Sequence, residues 1–220
     1  TIEDVLPEVN IEGLTRKKGM NRKTAHTYHK SYSGAYGQVR DILVLESTWL
    51  GYSEPFTQRD VISFVGEMMV QNGQNDLVTK FGLLPFEISV LDPTRTLCEK
   101  IMSLVRFSYT DRPIEDLKNK VRHFYDLHQL LQQKEFLDFF ISKAFDEMLH
   151  KVANDDFVSF KNNNQWLQYH PKEALVFKDV DQIWDNIRFV YMGSFRDLVF
   201  GELPHAEAIL ETLKMIKSRI

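Results

Sequence analysis

The dipeptide Asp92-Pro93 divides the chain into two differently patterned parts. Aspartate can cap a helix by accepting from its first amides, and proline suits the first helical position, where no amide hydrogen is needed. From there to Ile220 apolar residues recur at helical spacing, over about residues 93–108, 114–132, 134–151, 179–200 and 205–219. The stretch "NNNQWLQYHPKEALVF" reads as a loop between the third and fourth of these helices. Before Asp92 the pattern changes. "TAHTYHKSYSG" alternates, "VRDILVLESTWLG" is β-branched and apolar through its middle, and "AYGQ" between them suits a turn. "LLPFEISVL" reads as a further strand. Strands over about 24–32, 37–49 and 84–91, followed by a helical bundle, predict an α+β fold. Residues 1–92 form the strand-bearing part and 93–220 the helical domain, and the two are expected to share a core. Between the strands, "PFTQRDVISFVGEMMVQNG" predicts a helix capped by Thr57, with Val61, Phe64, Val65, Met68 and Met69 at helical intervals. The Ile42–Leu45 run predicts a strand covered on both faces.

Composition narrows the function. Hydrophobic residues at 43% and charged residues at 26% fit a soluble globular protein with a full core rather than a disordered chain. A net charge of -4 gives no overall basic field, so nucleic acid could be held only by a local patch. The single cysteine, Cys98, excludes an internal disulfide and suits a reducing cytoplasm. No apolar run approaches the ~20 residues that span a bilayer, so no membrane role is expected.

Two charges interrupt the apolar pattern of consecutive helices. Leu97, Ile101, Leu104 and Val105 make one inner stripe, with Lys100 at its edge. Leu117, Val121, Phe124 and Leu131 make the next, and Asp126 lies between Tyr125 and Leu127. The short polar connection "TDRP" predicts an antiparallel hairpin, with Lys100 and Asp126 at similar distances from the turn and able to face one cleft. They form either half of an active site or a rim salt bridge worth roughly 0–1 kcal/mol. Glu46 ends the most apolar strand. A carboxylate there needs a cation, a metal or the wet end of the sheet, and Ser47 and Thr48 mark an exit into solvent. Lys118, Lys120 and Arg122, with Arg106 and Arg112 near the hairpin turn, form a local basic patch. Neither a zinc-type Cys/His spacing nor a glycine-rich phosphate loop is present.

A hydrophobic strand ending in Glu46, then a helix, a strand, "LDPTRTLCEKI" and "VRHFYDLHQLL", resembles the AbiEii-type nucleotidyltransferases. These are toxins of abortive-infection and type IV toxin–antitoxin systems. Glu99-Lys100 matches the family's Glu-Lys pair, and Arg122, His123, Asp126 and Leu127 match its Arg-Asp-x-x-Asp-Leu segment; the resemblance covers roughly residues 36–132. It implies a nucleotidyltransferase-type α/β domain joined to helices. It also implies Mg2+-dependent transfer of a nucleotidyl group from a nucleoside triphosphate (NTP) to an RNA or protein acceptor, tRNA in some members. On this resemblance Lys100 and Asp126 are catalytic, Lys100 and Arg122 contact the nucleotide, and Glu46 is the acid near the metal. Two metals would clamp the attacking and leaving oxygens, and lysine would offset charge on the departing pyrophosphate.

Two departures accompany the match. The family's Gly-Ser turn and Asp-x-Asp pair are absent, and "IED" lacks their context, so this chain is expected to lack its N-terminal part and to be inactive as given. His123 also stands where the family has the first Asp of Arg-Asp-x-x-Asp. The alternative is a non-catalytic helical module whose basic hairpin binds RNA or an antitoxin partner.

Overall fold

The computed structural model describes residues 6–16, 21–29, 41–48, 54–160 and 163–220. Strands β1 (Glu8–Val9), β2 (Asn21–His26) and β3 (Leu43–Thr48) form an antiparallel sheet in that order, with Lys23 opposite Glu46 and Ala25 opposite Val44. The paired β2 and β3 are the two strands expected there; the "AYGQ" turn lies outside the described residues. Leu43 and Leu45 are 43% and 49% exposed, so β3 is not covered on both faces as its apolar run predicts.

A second sheet pairs β4 (Phe56–Val61) with β5 (Phe86–Leu91) antiparallel, Phe56 opposite Leu91. Strand β4 corrects the helix expected from Thr57. Its six residues pair in full with β5, and that ladder overrides the helical period read through Val61. The helix starts two residues after the strand. The Ser63 hydroxyl accepts from the Gly66 amide at 3.1 Å to cap α1 (Phe64–Gln71), and α2 (Asn75–Lys80) follows. Gly66 permits the close seat of α1: a Cβ there would meet the Leu83 carbonyl oxygen at 2.8 Å and the Ile62 side chain at 2.9 Å.

Helix α3 (Pro93–Phe107) begins as expected, with Asp92 Oδ1 accepting from the Thr94 amide at 2.8 Å. Then come α4 (Pro113–Lys118), α5 (Val121–Leu131), α6 (Lys134–Ile141), α7 (Lys143–Ser159), α8 (Leu175–Lys178), α9 (Val180–Met192) and α10 (Ala206–Arg219). The spans expected to run unbroken over 114–132 and 134–151 are each interrupted, at Asn119–Lys120 and at Ser142. Helix α9 stops at Gly193, short of the expected residue 200.

The core packs Leu97, Ile101 and Leu104 of α3 with Leu117, Phe124, Leu127, Phe140, Phe145, Ile187 and Ile209, all essentially fully buried. Each such side chain contributes about 1.5–3 kcal/mol by leaving water. Helix α5 is also tied to α10 by His128 Nδ1 and Thr212 Oγ1, 2.8 Å apart. Among the described residues this cluster begins at Leu97 and takes nothing from the strands, so the shared core expected of the two parts is not found. A buried polar cluster connects them. Arg95, 2% exposed, donates at 2.8 Å to the Glu54 carbonyl, to Asp155 of α7 and to Glu99. The Asp92 amide donates to the Pro55 carbonyl at 2.9 Å, which carries the β4–β5 ladder up to the start of α3. No helix among the described residues is long and apolar enough to cross a membrane.

Candidate functional site

Helix α3 packs against both α5 and α7, and this arrangement builds the site. Lys100 Nζ donates to Asp126 Oδ2 at 2.6 Å, with the side chains 18% and 27% exposed. The two charges read as interruptions of their helices therefore meet. Beside them is a cavity of about 300 Å³. Thr96, Glu99, Lys100, Ser103 and Arg106 line it from α3, His123 from α5 and Asp156 from α7.

The cavity carries charge of both signs, Lys100 and Arg106 against Glu99 and Asp156. Burial holds His123 well below its ordinary range, at about 4, and Lys100, Lys120, Arg106 and Arg122 add to the shift. Its imidazole is therefore neutral at pH 7, and its buried Nδ1 has no hydrogen-bond partner. Burial also lowers Arg106, partly offset by Asp156. The Arg106 guanidinium lies 4.2 Å from the centre of the Phe160 ring and 5.1 Å from that of Phe107, which fixes its plane. Burial raises Asp156 to about 6; Arg106 opposes the rise and Glu99 adds to it. Two cations, two hydroxyls and a neutral imidazole with an unsatisfied nitrogen offer donors to an anion that brings several acceptor oxygens, and the carboxylates of Glu99 and Asp156 stand against it.

The other expected residues lie elsewhere. Arg122 is exposed and lines a cavity of about 780 Å³ with Asn119, Phe195, Leu198 and the start of β3. Glu46 sits on β3, bridged to Lys23 at 2.5 Å, in a cleft of about 630 Å³ that also includes Arg16 and Phe160. Among the described residues no group of three or more His, Cys, Asp and Glu side chains could hold a metal ion.

The sequence reading missed Thr96, Ser103 and Asp156, and saw Arg106 only as part of a basic patch. A signal for α3 was present: positions 96, 99, 100, 103 and 106 recur at helical spacing and share one face. Asp156 had none, because only the packing of α7 on α3 brings it in. A family model described as "Nucleotidyl transferase AbiEii toxin, Type IV TA system" matches residues 5–211. No curated protein and no solved structure matches the chain.

Proposed function

The chain belongs to the AbiEii nucleotidyltransferase toxin family, and from that premise we propose that it moves a nucleotidyl group from an NTP to an RNA acceptor in the cytoplasm, with the Lys100 cavity as its triphosphate site. The observation that carries this reading is the Lys100–Asp126 pair at 2.6 Å beside a cavity holding Arg106 and the unpartnered His123 Nδ1. A triphosphate entering there supplies an acceptor oxygen to this nitrogen, further acceptors to Arg106, and a second choice of partner to Lys100.

In the proposed reaction the acceptor oxygen bonds to the α-phosphorus while the bond to the bridging oxygen breaks, and pyrophosphate leaves with that electron pair. Lys100 exchanges its contact with Asp126 for one with the phosphates, where its charge offsets that of the leaving group. Asp126, released from the lysine, takes the proton of the attacking hydroxyl. His123 stays neutral, so it competes with neither residue for charge and is free to donate to a phosphate oxygen.

The resemblance also implies Mg2+, with Glu46 beside it. Glu46 is engaged by Lys23, and the described residues offer it no cluster of further ligands. The described residues do not compose a metal site. Arg122 serves on this reading at the rim, outside the triphosphate cavity. An antitoxin partner follows from the family context alone.

A second reading, a non-catalytic module for RNA or an antitoxin, draws on the exposed Arg112 and Arg122 that flank α4. Calorimetry with NTPs and with inorganic triphosphate, on the wild type and on Lys100→Ala, separates the two. Triphosphate binding that disappears with Lys100 supports the transferase site. Triphosphate binding indifferent to Lys100, with RNA binding lost in an Arg112→Ala/Arg122→Ala double variant, supports the module.

A further inference from the structure

The triphosphate cavity has a neighbour. Arg106 lines both it and a second cavity of about 450 Å³, bounded by Tyr109, Asp111, Asn163, Trp166 and Tyr169. Tyr109 follows the end of α3 and Tyr169 precedes α8, yet their rings stack with centroids 5.2 Å apart and planes 12° from parallel. Both rings remain in solvent, 37% and 55% exposed. Trp166, in the same lining, is 3% exposed, and its indole N–H donates to the Asn163 carbonyl at 3.1 Å, which fixes the loop that carries Tyr169. The wall is thus an ordered aromatic platform edged by amide and carboxylate groups, with a cation at the side facing Lys100.

We infer that this cleft takes an unpaired nucleobase, stacked on the Tyr109–Tyr169 pair. A base has two flat faces that stack on aromatic rings whatever its identity, and a polar edge that pairs with amides and carboxylates. Asn163, Gln165 and Asp111 offer that edge both donors and acceptors. An apolar peptide side chain would leave them without partners. Arg106 lies where the phosphate attached to such a base would sit, between the platform and Lys100. The shared chemistry has two sources, the base of the NTP or a terminal base of single-stranded RNA. The placement next to the phosphates rests on the triphosphate reading of the Lys100 cavity; the stacking platform does not.

The test uses the full chain with three probes: ATP, inorganic triphosphate and an eight-nucleotide oligoadenylate. Tyr169→Ala removes the more exposed ring and leaves the core untouched; Tyr169→Phe keeps the ring and removes only the hydroxyl. Tyr169→Ala is expected to weaken a base-bearing probe about tenfold, with Tyr169→Phe binding like the wild type and inorganic triphosphate unaffected by either. Weakening of ATP alone assigns the platform to the triphosphate's own base, weakening of the oligonucleotide alone to the RNA, and weakening of both to either source. Equal affinity of Tyr169→Ala and the wild type for both base-bearing probes overturns the inference. So does a Tyr169→Phe loss as large as that of Tyr169→Ala, or a wild type that binds neither probe. Lys100→Ala is read separately on inorganic triphosphate, so failure of the phosphate site and failure of the base site give different results.

Discussion

Lys100 and Asp126 are 26 positions apart in the chain, and their charged atoms lie 2.6 Å apart in the fold. At 18% and 27% exposure the pair is intermediate between a surface bridge and a buried one. Removing either residue in urea-denaturation experiments is expected to show a coupling energy of about 1 kcal/mol in a double-mutant cycle. A coupling of zero would mean that the contact is not maintained in solution, and the exchange of partners proposed for Lys100 would lose its starting point.

Arg95 should matter more to stability. It is nearly inaccessible and serves two carboxylates and a carbonyl at once. Among the described residues Arg95→Ala leaves Asp155 the ion pair with Lys151, 3.6 Å away, and is expected to cost roughly 3 kcal/mol of unfolding free energy. Arg95→Lys should recover little of it, since one ammonium cannot reproduce a planar fork reaching three partners. Full recovery by lysine would show that only the charge counts.

Acid should act on His123 and Asp156 in opposite senses. His123 titrates at about 4 in the fold against an ordinary 6.5, so the unfolded chain takes up the proton first and stability falls as pH drops through that window. Asp156 titrates at about 6 against an ordinary 3.8, so the folded chain takes up the proton first and stability rises as pH drops from about 6 to 3.8. The two largely offset one another, and single substitutions unmask them. Relative to the wild type, His123→Asn should gain stability toward pH 4 and Asp156→Asn should lose it. Each change is on the order of 1 kcal/mol, reduced from the full linkage value by solvent at the cavity. Thermal unfolding from pH 4 to 7 checks this, and parallel curves for all three proteins would refute it.

Cys98 is fully buried, and burial pushes its thiol up to about 12. It should resist iodoacetamide at neutral pH and react only when the helical core opens. The labelling rate across a urea series is then expected to follow global unfolding. Fast labelling in native buffer would mean that α3 opens locally.

Legibility in the sequence varied by element. The Asp92 cap and the apolar stripe of α3 were readable because local chemistry decides both; the Lys100–Asp126 meeting was expected from a single short turn, but the structure makes it between α3 and α5 with the separate helix α4 between them. Strand β4 was not readable. Val61 fits a helical and an extended pattern equally, and only the β5 ladder decides between them. Gly193 ended a helix whose apolar spacing continued past it. Asp156 was invisible for another reason: its neighbours come from α3 and α5, more than 30 positions away, and no local pattern encodes that approach. The Tyr109–Tyr169 stack belongs to the same class, with its two halves in segments that read as a turn and a loop.

The core that begins at Leu97 has a consequence for how the chain opens. Amides of α3, α5, α9 and α10 sit around one apolar cluster and should exchange with deuterium only when that cluster comes apart. Among the described residues the ladders of β2–β3 and β4–β5 have no share in it, so their hydrogens should exchange sooner and on their own schedule. Loosening at the strand end would then leave the Lys100 pocket assembled, and a partner could pull on the strands without dismantling the chemistry behind them.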